Sequence, residues 1–241
     1  MQNSPDTKQV YQSAAARYHA LVLREDYENN LLPAILGIDS LAGKDVVELG
    51  MGTGRLTRLI TPLVKRLIAT DNSYHMLSFG WEHLRKTAGS NMHFALGSHM
   101  TLPFARGIAD VVIAGWSFCY TAIDAESSWE TALKNALQEV ARVMRPGGCL
   151  ILIESLGTGY KTPHPPDILA DYLDYLEVDG FTSTWIRTDY RFEDVAEALD
   201  LISFFFGEEP LPMWETAKGV IVPECTGLWW KKVNSSGHGI F

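Results

Sequence analysis

The chain has few cysteines: only Cys119, Cys149 and Cys225 in 241 residues, with no two in a C-x-x-C spacing. That spacing argues against zinc or a redox pair. Cysteine in apolar surroundings acts instead as a small buried hydrophobe. No apolar run approaches the roughly 20 residues needed to span a bilayer. The N-terminal MQNSPDTKQV lacks the basic-then-apolar pattern of a signal peptide, so a cytoplasmic protein with reduced thiols is expected. Positive charge is also scarce. Lys and Arg number 20 against 29 Asp and Glu, for a formal net charge of −9. No Lys/Arg cluster stands out, and Lys231-Lys232 is only a pair. A uniformly acidic chain is repelled by a phosphate backbone, which disfavours nucleic acid as a partner. Repeats and low-complexity tracts are absent.

What is present is a rhythm. Short apolar runs stand at 46–49, 66–70, 92–96, 110–115 and 149–154. Between them, apolar residues recur at helical spacing, as in Leu56, Leu59, Ile60 and Leu63. Ser73 can cap a helix that carries Met76, Leu77, Trp81 and Leu84 inward. Ser127 and Glu130 read as a capping box for the stripe Trp129, Leu133, Leu137, Val140 and Met144, stopped by Pro146-Gly147-Gly148. Residues 8–35 read as helical. Strand and helix alternating in this way predict a parallel α/β sheet with both faces covered. Farther on, 165–178 and 193–207 read as helices, and 181–188 and 225–233 as strands. The run Phe204-Phe205-Phe206 cannot all face one way, so at least one ring meets solvent, a partner or a pocket.

The stretch VVELGMGTGRLTRLI (46–60) places Gly50, Gly52 and Gly54 between the first strand and a helix. Glycine serves there where φ is positive or where a Cβ would block a ligand. A dinucleotide loop, G-x-G-x-x-G, would need glycine at position 55, which is Arg55. Glu48 precedes the loop, where an anion repels pyrophosphate and suits an ammonium group. Asp71 ends the second strand and can accept from a ribose diol. A ribose, a cationic amino-acid-like part and no phosphate together describe S-adenosylmethionine.

With VVELGMGTG, LIATDNSYHML, ALGSHMTLPFARGIADVVIAGWSF and ALQEVARVMRPGGCLILIES in that order, residues 45–155 resemble the class I S-adenosylmethionine-dependent methyltransferases. The likeness is to the small-molecule (methyltransferase type 11-like) branch that includes quinone-biosynthesis C-methyltransferases. It implies a Rossmann-like doubly wound α/β sheet of seven strands, mostly parallel with an antiparallel last strand. It also implies one domain over 1–241. That domain comprises an N-terminal helical cap (1–40), a cofactor-binding core (41–156), a C-terminal part with substrate-side helices and the last strands (157–233), and a tail (234–241).

The resemblance also implies roles. Gly50, Gly52 and Gly54 would lie against the methionine part of the cofactor, with Glu48 near its amino group. Asp71 would hold the ribose hydroxyls, and Asn72 and Met76 would follow at ribose and adenine. Ser98 and His99 fall where adenine is recognised; Ser98 replaces the aspartate common there. Ala114, Gly115 and Trp116 follow the fourth strand, where backbone carbonyls meet the ammonium group. Tyr11, Tyr18, Trp116 and Tyr120 are candidate acceptor contacts. Met76, Trp116 and the Tyr11–Tyr18 seam read equally well as core. A methyl group would pass to a small-molecule acceptor, leaving S-adenosylhomocysteine. No general base declares itself: His75, His99 and Tyr120 qualify by location alone. A monomer or homodimer is expected. A dinucleotide dehydrogenase, a methyltransferase of RNA or protein, and a non-catalytic cofactor-binding protein are the rival readings.

Overall fold

Most of the apolar runs become strands because both of their faces find cover, while the run at 92–96, at the sheet edge, is covered only in part. In the computed structural model, which describes residues 7–86 and 89–233, the strands are β1 (Asp45–Leu49), β2 (Arg66–Asp71), β3 (Met92–Leu96), β4 (Ala109–Gly115), β5 (Met144–Thr158), β6 (Thr182–Arg187), β7 (Tyr190–Phe192), β8 (Trp214–Thr216), β9 (Gly219–Val222) and β10 (Glu224–Lys232). The helices are α1 (Thr7–Ser13), α2 (Ala15–Val22), α3 (Leu31–Ile38), α4 (Arg55–Ile60), α5 (Tyr74–Leu84), α6 (Tyr120–Ile123), α7 (Trp129–Val143), α8 (Ala170–Val178) and α9 (Val195–Phe206). The tail set apart in the sequence, 234–241, lies outside the described residues, as do the first six residues of the expected cap.

Seven strands form one sheet in the order β3-β2-β1-β4-β5-β10-β6. β1 to β5 pair in parallel. β10 runs antiparallel to both β5 and β6. This is the expected Rossmann-like sheet with an antiparallel last strand. Successive side chains point to opposite faces. Val47, Leu49, Val112 and Leu150 cluster with Leu133, Leu137 and Val140 of α7. Val46, Val111, Ile113 and Ile151 cluster with Ile35 of α3 and with Leu56 and Ile60 of α4. Helices thus cover both faces.

Strand order reverses between β1 and β4. The register sets Leu49 beside both Thr70 and Ala114. The carboxyl ends of β1, β2 and β4 therefore finish level, and Gly50, Asp71 and Gly115 open on one edge. Open α/β sheets bind their ligands at such an edge.

Several local expectations are corrected. The continuous helix over 8–35 is broken into α1, α2 and α3. Between α2 and α3, Asp26 and Asn29 take φ of 58° and 61°, a conformation that Asp and Asn tolerate better than most residues. The Asp26 carboxylate then accepts from the N–H groups of Asn30 and Leu31, at 2.8 and 3.1 Å, and holds the start of α3. The capping box does not form. A 3-10 turn, Glu126–Ser128, takes up Ser127. Glu130 pairs instead with Lys134 at 3.7 Å. Pro146-Gly147-Gly148 does not stop α7, which ends at Val143; the three residues bulge within β5, between the pairings of Met144 with Ala109 and Cys149 with Val111.

β7, β9 and β8 make a separate antiparallel sheet that the sequence reading missed. Strands of three and four residues are too short for a period of two to show. Their core joins Tyr190, Phe192 and Val222 to Leu21, Ala198 and Ile202. The three phenylalanines at the end of α9 are all half-buried and part company. Phe205 packs on Tyr18 with ring centroids 5.4 Å apart, Phe206 meets Tyr190 at 6.2 Å, and Arg17 covers Phe204 at 4.5 Å.

Candidate functional site

The level strand ends open into a cavity of about 740 Å³. That lies within the ~300–1,000 Å³ typical of small-molecule sites. Of the residues expected to hold a cofactor, Glu48, Gly50, Gly52, Asp71, Asn72, Met76, Ser98, His99, Gly115 and Trp116 line it. The four candidate acceptor contacts, Tyr11, Tyr18, Trp116 and Tyr120, line it too. Two expected residues do not. Ala114 is fully buried in the sheet and packs in the α7-side core, because strand alternation turns its side chain away from the edge. Gly54 lies one turn deeper, at the head of α4.

The glycine loop divides in its purpose. All three glycines take positive φ, at 69°, 56° and 90° for Gly50, Gly52 and Gly54. A Cβ on Gly50 would stand 2.3 Å from Ser117 Cβ, and one on Gly54 would stand 2.4 Å from Leu84 Cδ1. A Cβ on Gly52 would meet nothing nearer than Tyr18 Cε1 at 3.7 Å. Close packing requires the outer two glycines. Only the middle one leaves its room to the cavity.

Asp71 ties the loop to β2. Its Oδ2 accepts from the Gly52 N–H at 2.8 Å, and its Oδ1 accepts from the Ser73 N–H at 2.8 Å. Burial raises its pKa, and these bonds oppose the rise. A carboxylate has about four acceptor positions, so about two stay free for a ligand's hydroxyls. Ser73 also caps α5, its Oγ accepting from the Met76 N–H at 3.3 Å, as the sequence predicted. Its hydroxyl donates to the Tyr11 carbonyl at 3.0 Å, which fastens α1 over the cavity.

Glu48 differs from its expected part. It is 1% exposed, and its Oε2 accepts from the Thr57 hydroxyl at 2.7 Å. Burial pushes its carboxyl up to about 7. The group is therefore not a free anion at the mouth but a partly protonated one in the floor. Burial also lowers His99 to about 4, so its imidazole is neutral at physiological pH. The ring stacks on Phe118 with centroids 5.3 Å apart, and Nδ1 lies 3.2 Å from Thr121 Oγ1. Ser98 is exposed at the rim, and its Oγ accepts from the Met100 N–H at 3.2 Å.

The roof is aromatic. Tyr11 meets Tyr18 edge to face at 5.4 Å and Tyr120 at 6.0 Å, with the Tyr11 and Tyr120 hydroxyls 3.3 Å apart. Burial raises Tyr11 well above its ordinary value and Tyr18 to about 12. Both phenols stay protonated near neutrality and can donate but not act as bases. Tyr11 and Tyr18 are thus a seam and a cavity wall at once, although they sit on two helices rather than one.

Sequence reasoning missed Arg55 as a wall residue. Its guanidinium lies 3.5 Å from the Trp116 ring centroid and pairs with Glu25. Nothing in the sequence links positions 25, 55 and 116. Ser117 was missed as well; its hydroxyl donates to the Leu49 carbonyl at 2.9 Å and closes the loop from behind.

The donor set fits a ligand with a diol and a cationic group better than one with phosphates. The one arginine in the wall is engaged by a carboxylate and an indole. Asp71 and Glu48 are the carboxyls on the two strands beside the loop.

The buried carboxyls predict the pH profile of stability. Burial raises Glu48 and Glu154 to about 7 and Glu224 to about 8. An acid whose pKa is higher folded than unfolded stabilises fully below the unfolded value, and that contribution is lost as pH rises through the folded value. The urea midpoint is therefore expected to fall between about pH 6 and about pH 8.5. A flat or rising midpoint over that window would contradict it.

Comparison with known proteins agrees with this geometry. Residues 47–152 match a family model described as a methyltransferase domain. The chain is 27% identical over 159 residues to the demethylmenaquinone methyltransferase of Lactococcus lactis, covering 64% of this chain and 60% of that protein. It is 30% identical over 162 residues to the ubiquinone/menaquinone biosynthesis C-methyltransferase UbiE of Vibrio vulnificus, covering 61% and 55%. The match thus spans 55–60% of the length of these relatives. A solved structure of a SAM-dependent methyltransferase from Aquifex aeolicus shares the fold, with a TM-score of 0.55 and 15% identity over 95% of this chain and 98% of that one. A sheet of this order, closed by an antiparallel strand, is the fold shared with that SAM-dependent methyltransferase structure, and residues 47–152, on its first five strands, are similar to a methyltransferase domain.

Proposed function

We propose that this chain transfers a methyl group from S-adenosylmethionine to a small, largely apolar acceptor, leaving S-adenosylhomocysteine. The observation that carries the reading is the meeting of Asp71, the open side of Gly52 and an aromatic roof on one cavity. In this reading the glycine loop, Glu48 and the carbonyls after β4 receive the amino-acid end of the cofactor. Asp71 and Asn72 take the ribose, and Met76, Ser98 and His99 take the adenine. Tyr11, Tyr18, Trp116 and Tyr120 enclose the acceptor.

When bound, the cofactor would supply an electrophilic methyl on its sulfonium centre to the acceptor's electron pair, with the thioether leaving and the proton of the acceptor atom passing to water. The chain's work is alignment and exclusion of water. Aromatic faces at the roof favour the positive charge while it lasts. The relatives' names make an electron-rich quinol ring carbon the acceptor to try first. The described residues form one cap-and-core domain in this reading, and three free, buried cysteines suit a reducing compartment such as the cytoplasm.

Calorimetric titration tests the cofactor assignment. S-adenosylmethionine and S-adenosylhomocysteine are expected to bind, and NAD(H) and NADP(H) are not. Binding of a dinucleotide without binding of S-adenosylmethionine would sink the proposal. Label transfer from methyl-labelled donor to a soluble quinol then separates catalysis from binding alone.

A further inference from the structure

Behind Arg55 lies a second cleft, of about 380 Å³. In a chain of net charge −9 its lining is unexpectedly basic. Arg24, Arg55, Arg58, Arg191 and Lys218 face only Glu25, Asp26 and Glu193. Those carboxylates are already engaged. Glu25 pairs with Arg55, Glu193 lies 3.1 Å from Arg24, and Asp26 is held by the backbone at the start of α3. Arg58, Arg191 and Lys218 have no carboxylate partner among the described residues.

These three cations come from α4, from β7 and from the turn between β8 and β9. No stretch of sequence gathers them; the small sheet does. Arg191 is steadied against the Tyr27 ring, 5.1 Å from its centroid. Like charges drawn to one cleft repel each other unless an anion lies between them. Arginine forks and a lysine point charge are the groups that recognise phosphate oxygens.

We propose that this cleft binds a small oxyanion of the phosphate class, either free or as the phosphate end of a small organic ester. The site does not depend on the methyl-transfer reading. It opens on the far side of Arg55 from the cofactor cavity, and its three unpaired cations do not line that cavity.

Titration of the full chain with inorganic phosphate and with glycerol 1-phosphate tests it, at about pH 8 where phosphate is mostly dianionic. Sodium chloride at matched ionic strength is the reference. At least one phosphate is expected to bind saturably and raise the thermal midpoint. Tighter binding of the ester identifies an organic phosphate; equal binding identifies the free ion. The double variant Arg58→Gln/Lys218→Gln is expected to weaken binding at least about tenfold. Both residues are exposed, so the variant's own melting curve should match the parent's. Its affinity for S-adenosylmethionine is expected to stay within about twofold. No response beyond that to chloride, or equal binding by the variant, overturns the site. Loss of S-adenosylmethionine binding in the parent chain would instead overturn the cofactor reading and leave this one standing.

Discussion

Replacing Asp71 by alanine is expected to weaken S-adenosylmethionine binding at least about tenfold and toward about a hundredfold. The charged double hydrogen bond to a ribose diol is worth ~1.5–3 kcal/mol in all, a factor of about ten to a hundred. The variant also releases the Gly52 and Ser73 N–H groups that the carboxylate now receives, both at 2.8 Å. The loop would then lose its tie to β2 before any ligand arrives. Asp71→Asn keeps one carbonyl acceptor and is expected to fall between parent and alanine variant. Calorimetry gives the affinities, and circular dichroism shows whether each variant is folded. Unchanged affinity in a folded Asp71→Ala protein would remove the ribose assignment.

The glycine loop provides the second large effect, and it separates stability from binding. At Gly50 an alanine must hold a left-handed backbone and place its Cβ 2.3 Å from Ser117 Cβ. Turning the Ser117 side chain would move only its Oγ and give up the bond to the Leu49 carbonyl, while the Cβ contact would remain. The backbone penalty of ~1–2 kcal/mol and an overpacking penalty of ~1–3 kcal/mol sum to a loss of about 2–5 kcal/mol. Gly54→Ala meets the end of a flexible leucine and is expected to cost less. Gly52→Ala meets only ordinary contacts and should cost about 1–2 kcal/mol of stability for its backbone alone. Its methyl, however, enters the cavity between Tyr18 and Met76. Gly52→Ala is therefore expected to combine the smallest loss of stability with a large loss of cofactor affinity. Denaturant unfolding and calorimetry on the three variants would show it. If Gly52→Ala proved the most destabilising of the three, the division of the loop would be wrong.

The sheet was readable because its signal is local. An apolar run, a glycine turn and an amphipathic stripe each sit within one short window, and their order names the parallel fold. Ser73 was readable for the same reason, since the Met76 N–H that it caps lies three residues away. The capping box at Ser127 misled because a 3-10 turn competes for the same few residues, and local composition does not rank the two. The small sheet of β7, β8 and β9 escaped because its strands are shorter than the period that reveals a strand.

Side-chain chemistry at the site was less legible. Glu48 looked like an anion, since composition says nothing of burial. In the fold it is 1% exposed, and desolvation raises it to about 7. Arg55 counted in the sequence only as the residue that was not glycine. Folding places it between Glu25 and Trp116, from three separate elements.

By itself, then, the sequence determined the order of the core strands and helices, the edge that carries the loop, and the family that residues 45–155 resemble. These follow from periodicity and from backbone demands that act over a few residues. Only the tertiary structure decided which glycine faces the cavity, which carboxyl is charged and where the cations collect. Those depend on distances and desolvation between residues far apart in the chain, and packing alone sets them.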